Sequence, residues 1–121
     1  MTSNSNNQYD LEQRTLVFSQ RLISFLKSLP NSQILIPLIN QCLRSGTSIG
    51  ANYREANGAS SKKDFLNKIY ICKKESKETL YWLELIGQFL DDEKLKSECR
   101  ILWQESKEFV LIFGKISSKS V

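Results

Sequence analysis

Gln41-Cys42-Leu43-Arg44-Ser45-Gly46-Thr47-Ser48-Ile49-Gly50-Ala51-Asn52-Tyr53-Arg54-Glu55-Ala56 is the stretch whose reading decides the fold. With its lead-in, apolar or small residues fall at Leu35, Ile39, Cys42, Gly46, Ile49, Tyr53 and Ala56. The spacing alternates four and three, which is the inward seam of a packed helix. Gly46 sits on that seam and Gly50 one turn further on. Each glycine costs about 1 kcal/mol of helix propensity against alanine. Two in one helix imply that another backbone comes close there.

Three more seams share this period. Leu11, Thr15, Phe18, Leu22, Phe25 and Leu29 predict a helix from about Asp10 to Leu29, with Asp10 as N-cap and Pro30 as stop. The quoted stretch belongs to a second helix, from near Ser32 to near Asn57, with Gly58 closing it. Pro37 leaves two options: Ser32 caps a short first turn, or the regular helix begins at Pro37 itself. Phe65, Ile69, Cys72, Ser76, Thr79, Leu83, Ile86 and Leu90 form the third seam. Ser61, followed three residues later by Asp64, is its capping signal. Leu95, Cys99, Leu102, Ser106, Phe109, Phe113 and Ile116 form the fourth, in a helix expected from Asp92 to Ile116.

Four helices of similar length on short loops make antiparallel neighbours. The expectation is an all-α, up-down-up-down four-helix bundle over residues 9–117. Polar residues 1–8 are expected to be disordered, and 118–121 to fray. Gly46, Ser76 and Ser106 fall at mid-height, so the bundle should have a narrow waist.

Composition narrows the chemistry. Seventeen basic against thirteen acidic residues leave a formal net charge of +4, mildly basic. There is no histidine, which excludes Ser-His and Cys-His machinery and the Glu-x-x-His ligand sets of di-iron bundles. The three cysteines are odd in number, lack CxxC spacing and all lie on seams. There a free thiol packs as a small hydrophobe, which favours a reducing, cytoplasmic setting; a metal or redox site is the alternative. No apolar run reaches the roughly 18–20 residues of a membrane span, and no signal region opens the chain. No cofactor, metal, catalytic residue or small-molecule substrate is expected.

Two polar patterns remain. The third helix carries Lys63, Asn67, Tyr70, Lys74, Lys77, Tyr81 and Glu84 opposite its seam. Lysines interleaved with aromatics suit phosphates and bases; a solvated face or a subunit contact has the same composition. The second helix carries Arg44, Ser48, Asn52 and Glu55 in one stripe. A ladder to the next helix, with Glu75 or Glu78 accepting from Arg44 or Asn52, explains it as well as a binding row does. Leu16, Ile23, Leu43, Tyr70, Ile71, Tyr81, Trp82, Leu85, Trp103 and Val110 lie off the seams. Some widen the core; the remainder implies a second buried surface, as in a homo-oligomer.

Gln41-x-Leu43-Arg44-Ser45-Gly46-Thr47-Ser48-Ile49-Gly50-Ala51-Asn52, Glu55-Ala56, Ser61 to Phe65, Lys74-Glu75-x-x-Glu78-Thr79 and Tyr81-Trp82-Leu83 closely resemble the "four helix bundle protein" family. Its members were first noticed as products of intervening sequences inside bacterial 23S ribosomal RNA genes. The resemblance implies an antiparallel four-helix bundle forming a ring-like homopentamer. It also implies a distant relation to accessory variability proteins of diversity-generating retroelements, basic pentamers that engage a reverse transcriptase and nucleic acid. No catalytic residues follow from it. Two functions are expected: a non-enzymatic oligomeric module binding structured RNA, DNA or an RNA-handling protein, with Arg44, Arg54, Lys63, Lys74 and Lys77 as phosphate contacts, or a purely protein-binding scaffold.

Overall fold

A computed structural model describes residues 7–119 of the chain, with side chains from Leu11 onward. It contains helices α1 (Asn7–Lys27), α2 (Leu35–Asn57), α3 (Lys62–Gly87) and α4 (Glu93–Lys119), and no strand among the described residues. Neighbours in sequence pack as neighbours in space and α1 closes the ring against α4, while the diagonal pairs stay apart. This is the all-α, antiparallel up-down-up-down bundle.

The helix ends follow local chemistry. Ser61 is extended (φ −148°, ψ 161°) and its hydroxyl accepts from the Asp64 N–H at 3.1 Å. Asp92 does the same for Leu95 at 2.9 Å. Ser32 resolves the Pro37 question: its hydroxyl accepts from Ile34 and Leu35 at 3.2 and 3.3 Å, and its carbonyl accepts from Ile36. Pro37 then lies in the first turn, where its missing N–H costs little. Gly58 ends α2 at φ −96°, so it makes no use of the left-handed region.

Two expected ends move. Helix α1 starts at Asn7, so Asp10 lies inside it, not at its cap. Helix α4 continues past Ile116, because Ser117 is buried and the Ser117 and Ser118 hydroxyls donate back to the Gly114 and Lys115 carbonyls. The expected disorder of 1–8 and fraying of 118–121 fall mostly on residues 1–6 and 120–121, which lie outside the described residues.

All four seams point inward. Leu22, Cys42, Ile49, Ile69, Cys72, Leu83, Ile86, Phe109 and Phe113 are fully buried. Small residues bring α2, α3 and α4 into close register. The Ser45 and Thr79 hydroxyls bond each other at 2.8 Å across α2 and α3. The Ser106 hydroxyl donates to the Ser76 carbonyl at 3.0 Å across α3 and α4. The Cys72 thiol donates to the Ile49 carbonyl and the Cys99 thiol to the Leu83 carbonyl. A side chain can reach a neighbouring backbone carbonyl only where the helices nearly touch.

Gly46 serves a different helix. A Cβ there would collide with Leu22 Cδ2, beside Phe18, so the glycine makes room for large α1 side chains. A Cβ at Gly50 would lie 3.1 Å from the Thr15 side chain, so this glycine too lets α1 come close to α2. The space between α1 and α4 is filled by Phe18 edge-on to Phe109 at 5.4 Å. Outside that layer, Arg14 donates to Glu105 and Glu108 at 2.6–2.8 Å, and Arg21 to Glu98. Long ion pairs close the one seam that small residues do not. No helix among the described residues is long and apolar enough to cross a membrane.

Candidate nucleic-acid interface

The outer face of α3 is the stripe expected from its rotation. Lys63, Asn67, Tyr70, Lys74, Lys77, Tyr81 and Glu84 are all exposed. The inward seam fixes this, since residues opposite it on a 3.6-residue helix must face water. Tyr70 is 59% and Tyr81 58% exposed. The Tyr81 and Trp82 rings make a T-shaped contact with centroids 5.0 Å apart. Lys63, Lys74 and Lys77 form no salt bridge with any described residue.

The neighbouring acids are engaged elsewhere. Arg44 reaches from α2 to Glu75 at 3.3 Å and also bonds Glu78. Glu78 accepts in addition from the Trp82 indole N–H at 2.9 Å. That indole, and then the Arg44 guanidinium, hold the Glu78 carboxyl below its usual range. Lys68 pairs with Glu55 at 2.7 Å. The acids beside the stripe are thus drawn to partners off it, Glu75 and Glu78 sharing Arg44 and Glu55 taking Lys68, while Lys63, Lys74 and Lys77 form no ion pair with any described residue, which favours a positive field on that face.

The polar stripe of α2 is only partly a ladder to its neighbour. Arg44 bridges the two helices, as one of the two readings required. Ser48 and Asn52 do not: the Ser48 hydroxyl donates to the Arg44 carbonyl, and the Asn52 amide to the Ser48 carbonyl, both on their own helix. Short side chains find the carbonyl four residues back before they reach across. Arg44 is also a poor phosphate contact, because two carboxylates and Gln41 already occupy its guanidinium. Arg54 is exposed, but sits about 80° around α2 from Arg44. The stripe of α3 therefore keeps Lys63, Lys74 and Lys77 as its cations.

Glu75 is 8% exposed, so Arg44 matters for stability. Arg44→Met strands that carboxylate beside Glu78. We expect a cost of about 1–3 kcal/mol, below the full figure for buried pairs because Arg44 is half-exposed. Urea unfolding measures it, and adding Glu75→Gln should restore more than half. A single variant as stable as wild type removes the bridge from the account.

Sequence reasoning missed the roles of Arg14 and Arg21. Their partners lie 77 to 94 residues away, and no local pattern marks them. No group of three or more metal-ligating side chains occurs among the described residues. All three cysteines are free and buried.

Comparison with known proteins adds two findings. The sequence profile of the 23S rRNA-intervening sequence protein family matches residues 7–101. A crystal structure of a protein of unknown function from the S23 ribosomal protein family of Bacteroides thetaiotaomicron VPI-5482 superposes with a TM-score of 0.76 at 38% identity, covering 88% of this chain and 96% of that one. No functionally curated protein matches the chain. Neither match carries the relation to accessory variability proteins.

Proposed function

Because this chain belongs to the family of 23S rRNA-intervening sequence proteins, we propose that it is a non-enzymatic accessory module. It assembles with copies of itself and holds nucleic acid, or a protein that handles RNA such as a reverse transcriptase, on the basic face of α3. The observation that carries this reading is the set of exposed, unbridged lysines at 63, 74 and 77 beside acids that are already paired.

Self-assembly uses other surfaces in this reading. The exposed aliphatic side chains Leu16, Val17, Ile23, Leu43, Ile101 and Leu111 lie on α1, α2 and α4; among the described residues α3 exposes only its two tyrosines. A ring of copies, the pentamer expected from the resemblance, would cover part of that aliphatic area and leave α3 outward. The same exposure favours the second reading, a protein-binding scaffold that ignores nucleic acid.

Filter retention of RNA at low and raised salt separates the two. Three lysine–phosphate contacts per protomer give a slope of log affinity against log salt of about −2 for a single strand. Affinity should fall more than tenfold between about 50 and 200 mM salt. No retention even at low salt leaves the scaffold reading. Light scattering at micromolar protein tests assembly, and a monomer there counts against both.

A further inference from the structure

We propose that the outer face of α3 selects unpaired RNA, with bases stacked on Tyr70 and Tyr81 and phosphates on the lysines between and beyond them. This rests on the nucleic-acid reading above and names the form of nucleic acid that the face takes.

Tyr70 and Tyr81 are eleven residues apart on one unbroken helix. Eleven residues are three turns and about 20°, so the two rings share a face about 16 Å apart along the axis. Lys74 and Lys77 lie between them on the same face, and Lys63 lies one further repeat of eleven before Lys74. The order along the track is cation, ring, two cations, ring, and then Glu84, whose negative charge closes it.

Both rings are more than half exposed, and both are tyrosines where a solvated helix would carry Lys, Glu or Gln. The T-shaped contact with Trp82 steadies the Tyr81 ring and covers at most one of its two faces, which leaves the other for a ligand. Trp82 is itself anchored through its indole to Glu78, which Arg44 holds in turn. One ring of the platform is therefore braced by a chain of bonds reaching α2.

Duplex RNA has no use for such rings. Its base faces are buried in their own stack, and it offers proteins mainly phosphates and 2′-hydroxyls. Two tyrosines standing among the lysines would hold a duplex off the surface. An unpaired strand offers base faces and phosphates together, and stacking tolerates any sequence because every base has a π-face. An acidic peptide would satisfy the lysines but gain little from the paired ring spacing.

The test uses the full chain at low salt and fluorescence anisotropy with three probes: an unstructured RNA of about twelve nucleotides, a blunt duplex of the same length, and a poly-glutamate peptide. Wild type is compared with the double variant Tyr70→Leu, Tyr81→Leu, which keeps apolar bulk without π-faces. Since both positions are exposed, the variant should match wild type in circular dichroism and urea midpoint, which is checked first. The single strand should bind wild type at least tenfold tighter than the duplex. The variant should lose roughly ten- to a hundredfold on the single strand and leave duplex binding unchanged. Single-strand binding should also change the Trp82 emission through its contact with Tyr81. Equal affinity for single strand and duplex, or a variant that binds the single strand as wild type does, overturns the selection for unpaired RNA and leaves the nucleic-acid reading standing. Poly-glutamate binding as tight as the single strand and indifferent to the variant overturns it in favour of an acidic protein partner. No binding of either RNA takes the underlying reading down with it.

Discussion

Raising the pH from 9 to about 11 should strip this protein of a large part of its stability, with its three cysteines supplying much of the slope. Burial pushes the Cys42 and Cys72 thiols up to about 12 and Cys99 to about 11, against an ordinary value of 9.0. The main cause is desolvation: each thiol sits on a helix seam where a thiolate would lose its water, and Lys68 near Cys72 and Arg100 near Cys99 offset only part of that. In the unfolded chain the same thiols ionise near 9. The stabilisation is therefore complete below that value and is lost as pH rises toward the folded values. Each thiol costs about 1.4 kcal/mol per pH unit in that window, so three together cost about 4. Over the rise from 9 to 11 the loss is roughly 7 kcal/mol, against a total stability on the order of 6–18 kcal/mol for a chain of this length. Tyr53, which burial also raises, adds a contribution of the same sign. Urea unfolding at a series of alkaline pH values gives the slope. The variant Cys42→Ala, Cys72→Ala, Cys99→Ala should show less than half of it, whatever its stability at neutral pH. Equal slopes would mean that lysine and tyrosine titration governs alkaline unfolding instead.

Phe109→Ala should be the most damaging single substitution in the core. The ring is fully buried, meets Phe18 edge-on, lies 6.1 Å from Phe113, and carries the Arg14 guanidinium 5.5 Å above its centre. Truncation removes the main filler between α1 and α4 at a place where no backbone can move in to fill it. Buried aromatic truncations of this kind cost about 3–5 kcal/mol. In a domain of this size that lowers Tm by something on the order of 15 °C. Gln104→Ala, five residues back on the same helix and exposed, is the control and should change stability by less than about 0.5 kcal/mol. A Phe109→Ala variant that melts with the control would show that α1 and α4 are not joined through this ring.

The two substitutions mark what was legible in the sequence and what was not. Phe109 stands on a seam whose alternation of four and three is visible without coordinates, and every α1 and α2 seam residue except Ile39 is buried as that pattern requires. The cap at Ser61 was legible for a similar reason, because a cap is a local event within four residues. The narrow waist was legible in kind: Ser76 and Ser106 do meet. Gly46 was not assigned to the correct neighbour, because small size shows only that something comes close, not whether it is a backbone or a leucine. Spacing alone also left Ser48 and Asn52 ambiguous, since a step of four serves a bond along the helix as well as one across it. The Arg14 and Arg21 pairs depend on how two helices far apart in sequence are rotated, which no pattern within one helix records. On α3 the exposure of the lysine and tyrosine stripe was legible, and the pairing of the nearby acids that leaves it positive was not.

The uneven packing of the bundle sets an order in which it comes apart. Helices α2, α3 and α4 are laced together by hydroxyls and thiols bonded across the gaps between them. Helix α1 leans on that raft through bulky side chains and surface charge pairs. Water and mobile ions reach the charge pairs, which are partly exposed, but not the bonds inside the raft, which are buried. The lowest-energy excursion from the native state is thus the lifting of one outer rod, with the raft of three still intact beneath it.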